Sequence, residues 1–213
     1  MGTLITNLRE TVKYFKKSTS RLSKFVDICL GLDLNIGAHL TLDVRTRWSS
    51  TYKMIATGRP YKEALKEYAK SDLNYIWQPS NDEWKLYELI EPMLFAFAQV
   101  TTAFSAQSYP IANIFYRHIV SIKIALRKAI QHDDPTYKAM GEAMMEKFNK
   151  YWEEKNNVMV LATILDPRYK MFYIDWAFKQ LYDEQLAEEE LADVRVELEE
   201  LFEKVDTANK QAE

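Results

Sequence analysis

Two arginines and a tryptophan stand close together at Arg45, Arg47 and Trp48. On extended chain, side chains two residues apart point to the same side, so both guanidiniums can bind phosphate oxygens. The adjacent indole can stack on an unpaired base, a contact worth roughly 1–3 kcal/mol per base in single-strand binders. The same residues also suit a tryptophan that anchors a corner of the fold, with arginines that pair with nearby acids. The sequence leaves both interpretations open.

A second basic group lies on a predicted amino-terminal helix, with Thr3 as its N-cap. The buried face of this helix is predicted from apolar residues at spacings of four, four and three: Leu4, Leu8, Val12 and Phe15. The opposite face is basic: Arg9, Lys13, Lys16 and Lys17. We expect a DNA-binding surface made of the three lysines and the first cluster: Lys13, Lys16, Lys17, Arg45, Arg47 and Trp48.

Charge is segregated along the 213 residues, although the net charge is only −3. Residues 1–70 carry 13 Lys/Arg against 6 Asp/Glu (+7), residues 71–180 carry 12 against 13 (−1), and residues 181–213 carry 3 against 12 (−9). A basic front end attracts phosphate and an acidic tail repels it, although solvated helix faces explain the same pattern. The acidic stretch 183–206 is a candidate docking face for a protein partner.

Residues for catalysis or metal binding are sparse. Three carboxylates invite a magnesium interpretation: Asp43, Asp166 and Asp175. However, the sequence places no second acid beside Asp43, and an aspartate before proline usually serves in a turn or a cap. The three histidines are far apart, and the one cysteine cannot form an internal disulfide. We predict no catalytic residue, no metal site and no cofactor.

The elements that would position these residues are mostly helical. A second helix is expected to bury Leu22, Phe25, Val26, Cys29 and Leu30 and to stop at Gly31. Residues 40–44 then alternate, with Leu40, Leu42 and Val44 on one side, and predict the one strand. A lone strand must pair elsewhere. It is the first indication that the sheet extends beyond this chain.

The remainder of the chain reads as helices separated by short breaks. A serine or threonine after Trp48 is expected to cap a helix that Pro60 kinks or restarts, and residues 71–80 read as a loop. Further helices are expected from Asn81, from Tyr109-Pro110, from Asp134-Pro135, and over about 157–165, 169–182 and 184–205. No apolar run is long enough to span a membrane. The fold class is mainly α, a helical bundle with one short β segment.

Five motifs, in order, resemble those of plant hAT-superfamily transposases and their domesticated relatives, the sleeper-type BED-finger proteins. Residues 42–52 (LDVRTRWSSTY) resemble the family's "LDV-x-TRWNST", with Ser49 where the family usually has asparagine. The other four are 18–25 (STSRLSKF), 109–113 (YPIAN), 147–152 (KFNKYW) and 165–170 (LDPRYK). Together they cover about residues 10–182, most of the chain.

The resemblance implies a part of a larger nuclear protein. Residues 1–50 are expected to be a partial RNase H-like segment of two helices and a strand. Residues 51–213 are expected to be the helical insertion-like domain with an acidic last helix. The family's catalytic acids would lie outside the chain, as would its BED finger and the region through which full-length relatives oligomerise. The family tryptophan that matches Trp48 is implicated in handling a flipped or hairpinned DNA end.

Three functional hypotheses follow. The first is a fragment of a hAT transposase-derived DNA-binding protein in the nucleus, not catalytically competent alone, with weak and salt-sensitive DNA binding. The alternative is a domesticated-transposase protein-interaction scaffold without DNA binding, which docks through residues 183–206. The third, an active nuclease, requires acids that the resemblance places elsewhere.

Overall fold

The computed structural model describes residues 5–36, 39–105, 112–152 and 157–212, and in these residues it is almost entirely helical. Short 3-10 turns lie at Arg59–Tyr61 and Ala112–Ile114. The α-helices of the described residues are α1 (Thr6–Lys16), α2 (Thr19–Gly31), α3 (Trp48–Gly58), α4 (Lys62–Ser71), α5 (Asn81–Ser105), α6 (Phe115–Ile130), α7 (Pro135–Trp152), α8 (Asn157–Leu165), α9 (Lys170–Leu181) and α10 (Glu184–Ala212).

The predicted strand at residues 40–44 is wrong, while the mainly helical fold class is confirmed. No β-strand occurs among the described residues. Leu40 is buried as the alternation requires, but Val44 at the other end is 48% exposed. Asp43, assigned to the polar side, is buried instead. An ion pair that holds Asp43 in the interior, rather than a sheet, fixes the path of this segment.

The chain forms two compact units. Unit 1 is Met1–Thr101 with Asp134–Met140, and unit 2 is Thr102–Asp133 with Gly141–Glu213. Both α5 and α7 therefore contribute residues to each unit. Compactness does not test the predicted domain boundary at residue 50, which stays a prediction.

Unit 1 is built around the apolar face of α1. Leu8, Val12 and Phe15 are at most 1% exposed, as their spacing predicts, whereas Thr3 and Leu4 lie outside the described residues. The Phe15 ring centroid lies 4.6 Å from that of Phe25 and 4.8 Å from that of Tyr68, the latter edge to face. Such aromatic pairs add specific geometry to the burial of large apolar area.

Helix α2 buries a narrower face than the sequence predicts. Phe25 and Cys29 are buried, but Leu22 and Leu30 are 43% and 59% exposed, so their predicted inward position is wrong. The helix packs against α1 and α4 along one edge only, because it lies at the periphery of unit 1. Burial raises the pKa of the Cys29 thiol to about 11.

Helix α2 ends at Gly31, but this glycine is not what stops it. Asp33 has φ 53°, the left-handed conformation of a helix C-terminus. The Leu34 amide donates to the Cys29 carbonyl (3.0 Å) and the Asp33 amide to the Leu30 carbonyl (3.1 Å). These two bonds form a Schellman motif centred on Asp33.

The predicted breaks after α3 are confirmed. Pro60 lies in the 3-10 turn that restarts the helix as α4. In the loop that follows, Tyr75 is buried and its hydroxyl is 2.8 Å from that of Thr11. Ser80 then caps α5, because its hydroxyl accepts the Glu83 amide while the Glu83 carboxylate accepts the Ser80 amide.

Unit 2 packs α6, α8, α9 and α10 together. Ile174, Ala177 and Phe178 of α9 are fully buried, and the Phe178 ring centroid lies 5.7 Å from that of Tyr116. At the carboxyl end of α9, the Lys123 ammonium donates to the Leu181 carbonyl at 2.7 Å. The predicted helix start at Tyr109-Pro110 lies outside the described residues.

The last helix, α10, is longer than predicted and is packed only at its start. Ala187, Leu191 and Val194 are buried, whereas Leu201, Phe202 and Val205 are 38%, 74% and 52% exposed. Its first half therefore belongs to the core of unit 2, and its second half presents an apolar stripe to solvent. None of the described helices combines the length and apolar content that crossing a bilayer requires.

Candidate nucleic-acid interface

The motif at residues 42–52, which contains Trp48, is anchored by a buried ion pair between Arg9 and Asp43. Arg9 of α1 donates from Nε to Asp43 Oδ1 and from Nη2 to Asp43 Oδ2, both at 2.7 Å. The Thr51 hydroxyl donates to the same Oδ2 at 3.1 Å. The Arg9 and Asp43 side chains are 4% and 0% exposed. The expectation that Arg9 belongs to a solvated basic face is wrong, because its charge is used inside unit 1.

The ion pair sets the protonation of both partners. Burial alone would raise the pKa of Asp43, but the hydrogen bond and charge of Arg9, with the Thr51 hydroxyl, hold that pKa below its ordinary value. The hydrogen bond to Asp43 in turn raises the pKa of Arg9. Both carboxylate oxygens of Asp43 are engaged, so its role here is structural.

The next residues form a turn that one serine holds. The Arg47 amide donates to the Val44 carbonyl at 2.8 Å. The Ser50 hydroxyl accepts the Val44 amide (2.8 Å) and lies 2.9 and 2.7 Å from the Val44 and Arg47 carbonyls. Helix α3 begins with Arg47 as N-cap residue and no side-chain cap bond, so the predicted Ser/Thr cap is wrong.

This turn presents the two arginines to solvent. Arg45 and Arg47 are exposed, and neither guanidinium forms a hydrogen bond or an ion pair with a described residue. Trp48 is half-buried, with its ring centroid 4.4 Å from that of Phe97 and the ring planes at 67°. Trp48 therefore anchors the start of α3, in line with the interpretation of this tryptophan as a structural corner. The two guanidiniums stay accessible, which the phosphate-binding interpretation requires.

The carboxylate of Glu10 connects α1 with the turn. Lys13 donates to Glu10 at 2.6 Å, and the charges of Lys17 and Arg45 also act on it. The Lys13 hydrogen bond, followed by the charges of these cations, lowers the pKa of Glu10. Three of the predicted residues, Lys13, Lys17 and Arg45, thus gather around one acid. Lys16 is exposed on α1 and is not among the residues that act on Glu10.

Each carboxylate considered for metal binding is paired with a cation. Asp43 binds Arg9, Asp166 lies 2.7 Å from Arg168 Nη2, and Asp175 lies 3.0 Å from Lys179 Nζ. Across the described ranges, no three His, Cys, Asp or Glu side chains cluster as metal ligands.

A second motif cluster, in unit 2, was not predicted. Asp166 accepts hydrogen bonds from the Arg168 amide and guanidinium, and from Asn113 Nδ2 at 2.6 Å. These bonds, that of Arg168 first, hold the pKa of Asp166 well below its usual range. Asn113 ends the YPIAN motif and Asp166 belongs to LDPRYK, so two motifs 53 residues apart meet here. The motifs were visible in the sequence, but their contact was not.

Two family models match the chain, one in each half. Residues 1–93 match the ZBED1 RNase-like helical domain. Residues 113–204 match the hAT-like transposase, RNase-H fold. Together the two matches span most of the chain, and they agree with the resemblance of its five motifs to those of hAT-like transposases.

Curated relatives are mainly plant BED-finger proteins and transposases. The rice (Oryza sativa subsp. japonica) zinc finger BED domain-containing protein RICESLEEPER 2 is 33% identical over 184 residues, which cover 86% of this chain and 26% of that protein. A putative AC transposase of Zea mays is 31% identical, over 84% and 22%. The Arabidopsis thaliana protein DAYSLEEPER is 28% identical, over 68% and 21%. The chain spans about a quarter of the length of these relatives, and no solved structure matches it.

Proposed function

We propose that this chain binds DNA through a basic surface, defined as Lys13, Lys16, Lys17, Arg45, Arg47 and Trp48. The observation that carries the proposal is the turn that holds Arg45 and Arg47 exposed, together with the cations of α1 and of this turn whose charges act on Glu10. Guanidiniums without a carboxylate partner are available to bind phosphate oxygens.

The proposed contact is formed mainly with the phosphate backbone. Ser50 fixes the turn through its bonds to the backbone of Val44 and Arg47, so the backbone that carries the arginines loses little freedom on binding. Trp48 is partly open and would contribute stacking or an apolar contact with its exposed portion. No base-reading motif accompanies these residues, which favours binding without sequence preference.

The binding is expected to be weak and strongly dependent on salt. Each neutralised phosphate contributes about −0.9 to the slope of log affinity against log salt for duplex DNA, so four contacts give roughly −4. The chain's net charge of −3 and its acidic residues 181–213 oppose association at long range.

The test is fluorescence anisotropy with a labelled DNA duplex at low salt. Arg45→Ala/Arg47→Ala is expected to weaken binding about tenfold or more and to reduce the salt slope by roughly two. Lys66→Ala/Lys70→Ala is the matched control, since it removes two exposed lysines of unit 1 that pair within α4. If both double variants lose the same duplex affinity, or if the arginine variant binds like wild type, the arginines do not belong to the site.

We also propose that the chain does not cut DNA alone and that it acts in the nucleus. The resemblance that assigns the catalytic acids to other segments supports the first point. A magnesium-dependent nicking assay on supercoiled plasmid checks it, and any cleavage above background contradicts it. Location in the nucleus follows from DNA as the partner and is checked by imaging the tagged chain.

A scaffold function without DNA binding is the second candidate. The exposed stripe of Leu201, Phe202 and Val205 on α10, flanked by glutamates, favours it. An acidic helix with an apolar stripe fits a basic amphipathic helix of a partner. This candidate predicts that the Arg45/Arg47 variant loses nothing, because the wild type itself shows no DNA binding at low salt.

A further inference from the structure

A row of aromatic rings runs from the N-cap of helix α9 along one side of the helix. Tyr169 is the N-cap residue, and Tyr173 and Trp176 follow within α9 at a spacing of three, which places those two on one helix face. The Tyr169 and Tyr173 ring centroids are 5.1 Å apart, and those of Tyr173 and Trp176 are 5.5 Å apart. Trp176 is 41% exposed and the neighbouring Phe172 is 84% exposed. Tyr169 and Tyr173 are half-buried, so the rings open to solvent are Trp176 and Phe172, and exposed rings of this size indicate a binding surface.

Two guanidiniums lie against the start of this row. Arg117 Nη1 of α6 is 3.5 Å from the Tyr169 hydroxyl, and the Arg168 guanidinium carbon is 5.3 Å from the Tyr169 ring centroid. Burial raises the pKa of Tyr173 to about 12, and the charge of Arg117 opposes that rise. Cations and rings therefore form one surface in unit 2.

The orientation of Arg168 is fixed by buried groups. The Asp166 side chain is only 5% exposed, accepts from Arg168 Nε and Nη2, and is itself held by Asn113. The Arg168 side chain stays 65% exposed. A guanidinium held at one edge and open at the other is preorganised to bind an anion.

The backbone at the start of α9 is strained. Lys170, its first residue, has φ 56°, a left-handed conformation that is unfavourable for a residue with a side chain. The amide of Lys170 donates to the Asp166 carbonyl at 3.1 Å. The same aspartate thus holds both the strained residue and Arg168, and the strain is located at the cationic end of the aromatic row.

The charge on this surface is positive. Its cations are Arg117, Arg168, Lys170 and Lys179. Its two carboxylates are already paired, Asp166 with Arg168 and Asp175 with Lys179. The buried face of α9 is Ile174, Ala177, Phe178 and Leu181, and Trp176 lies outside it.

We infer that this aromatic–cationic surface, defined as Arg117, Arg168, Tyr169, Tyr173 and Trp176, is a second nucleic-acid contact that binds unpaired bases. Planar rings with adjacent guanidiniums suit single-stranded nucleic acid, because its bases can stack on the rings while its phosphates bind the cations. The positive charge favours this occupant over an acidic or neutral peptide. The inference goes beyond the duplex contact proposed for unit 1.

The experiment measures binding of a labelled single-stranded oligo-dT of about 15 nucleotides to the full chain at low salt. Trp176→Ala and Arg117→Ala are each expected to weaken binding about tenfold, within the range of one lost stacking or phosphate contact. Trp176→Phe keeps an aromatic face and is expected to retain most of the affinity. Phe202→Ala, which removes a still more exposed aromatic ring from α10 (74% against 41% for Trp176), is the control.

Failure here is distinguishable from failure of the unit 1 contact. The Arg45→Ala/Arg47→Ala variant is expected to lose duplex affinity but to keep most of its oligo-dT affinity, and Trp176→Ala is expected to do the reverse. The inference is overturned if Trp176→Ala binds oligo-dT like wild type, or if Trp176→Ala, Trp176→Phe and Phe202→Ala all weaken it equally. Circular dichroism of each variant checks that α9 remains folded.

Discussion

The polar residues of the family-like motifs largely hold the motifs themselves. In residues 42–52, Thr51 binds Asp43, and Ser50 binds the backbone of Val44 and Arg47. The arginines between them are left to point outward. The motif is thus a hydrogen-bonded frame around an exposed cationic turn. The residues that hold the turn and the residues that can contact a ligand are different ones.

Removal of the Asp43 charge should destabilise unit 1. Asp43→Asn leaves Arg9 charged and 4% exposed without its counterion, and breaking a buried pair on one side costs about 3 kcal/mol. Denaturant unfolding at pH 7 measures the loss. Arg9→Leu/Asp43→Leu, which removes both charges, is the control and should be less destabilised than Asp43→Asn. If the single and double variants unfold alike, the buried charge is not the cause.

The same pair predicts a dependence on pH. The folded pKa of Asp43 is lowered, so its stabilisation is complete above the unfolded value, about 3.9, and is lost as pH falls through the folded pKa. The difference in unfolding free energy between wild type and Asp43→Asn should therefore be constant near neutrality and should shrink below about pH 4. A constant difference down to pH 2 would contradict this.

Ser50→Ala should loosen the arginine turn. The variant loses hydrogen bonds to Val44 and Arg47 and should cost about 1 kcal/mol of stability, with a several-fold loss of duplex affinity. Ser49→Ala is the matched control, because the Ser49 hydroxyl forms no hydrogen bond with a described residue. Thermal unfolding and anisotropy measure the two effects. Equal behaviour of the two serine variants would argue against the frame.

Glu10→Gln should strengthen duplex binding. Glu10 places a negative charge among Lys13, Lys17 and Arg45, and its removal should raise affinity roughly threefold at low salt. Glu63→Gln on α4 removes one exposed charge elsewhere in unit 1 and should have a much smaller effect. The DNA interpretation of the basic surface loses its support if Glu10→Gln binds no tighter than Glu63→Gln.

At the scale of elements, helix starts were more predictable than helix ends or buried faces. Asp134 followed by proline predicted the start of α7 from local sequence alone. In the structure, the Asp134 carboxylate accepts the Thr136 and Tyr137 amides. The end of α2 depended on which residue took the left-handed conformation, and the sequence favoured Gly31 over Asp33. The inward face of α2 depended on how many neighbours it has, which periodicity does not contain.

The end of α2 yields a stabilising substitution. Asp33→Gly relieves a left-handed aspartate and should raise the free energy of unfolding by roughly 0.5–1 kcal/mol. Gly31→Ala, where an added Cβ meets nothing within 4 Å, should be neutral or slightly stabilising. Urea unfolding of both variants measures this. A destabilised Gly31→Ala would restore Gly31 as the stop.

At the scale of the whole molecule, the mainly helical class and the family were readable from sequence, but the interior of unit 1 was not. Alternation over residues 40–44 predicted a strand, because the pattern cannot show that Arg9, 34 residues earlier, draws Asp43 inward. For the candidate site, residue types could be predicted, and Arg45 and Arg47 are exposed as binding requires. The effect of the Arg45 charge on Glu10, 35 residues earlier, is a tertiary property that required the fold.

Modification of Cys29, the one cysteine of the sequence, can report how often unit 1 opens. Cys29 is fully buried between helices and its thiol resists ionisation, so a thiol reagent in solution must wait for unit 1 to open. Labelling of the native chain should be slow and should accelerate about a hundredfold in Asp43→Asn, the equivalent of about 3 kcal/mol. Mass spectrometry of timed samples measures the rate. Labelling at the speed of the unfolded chain would mean that α2 is not held against the core.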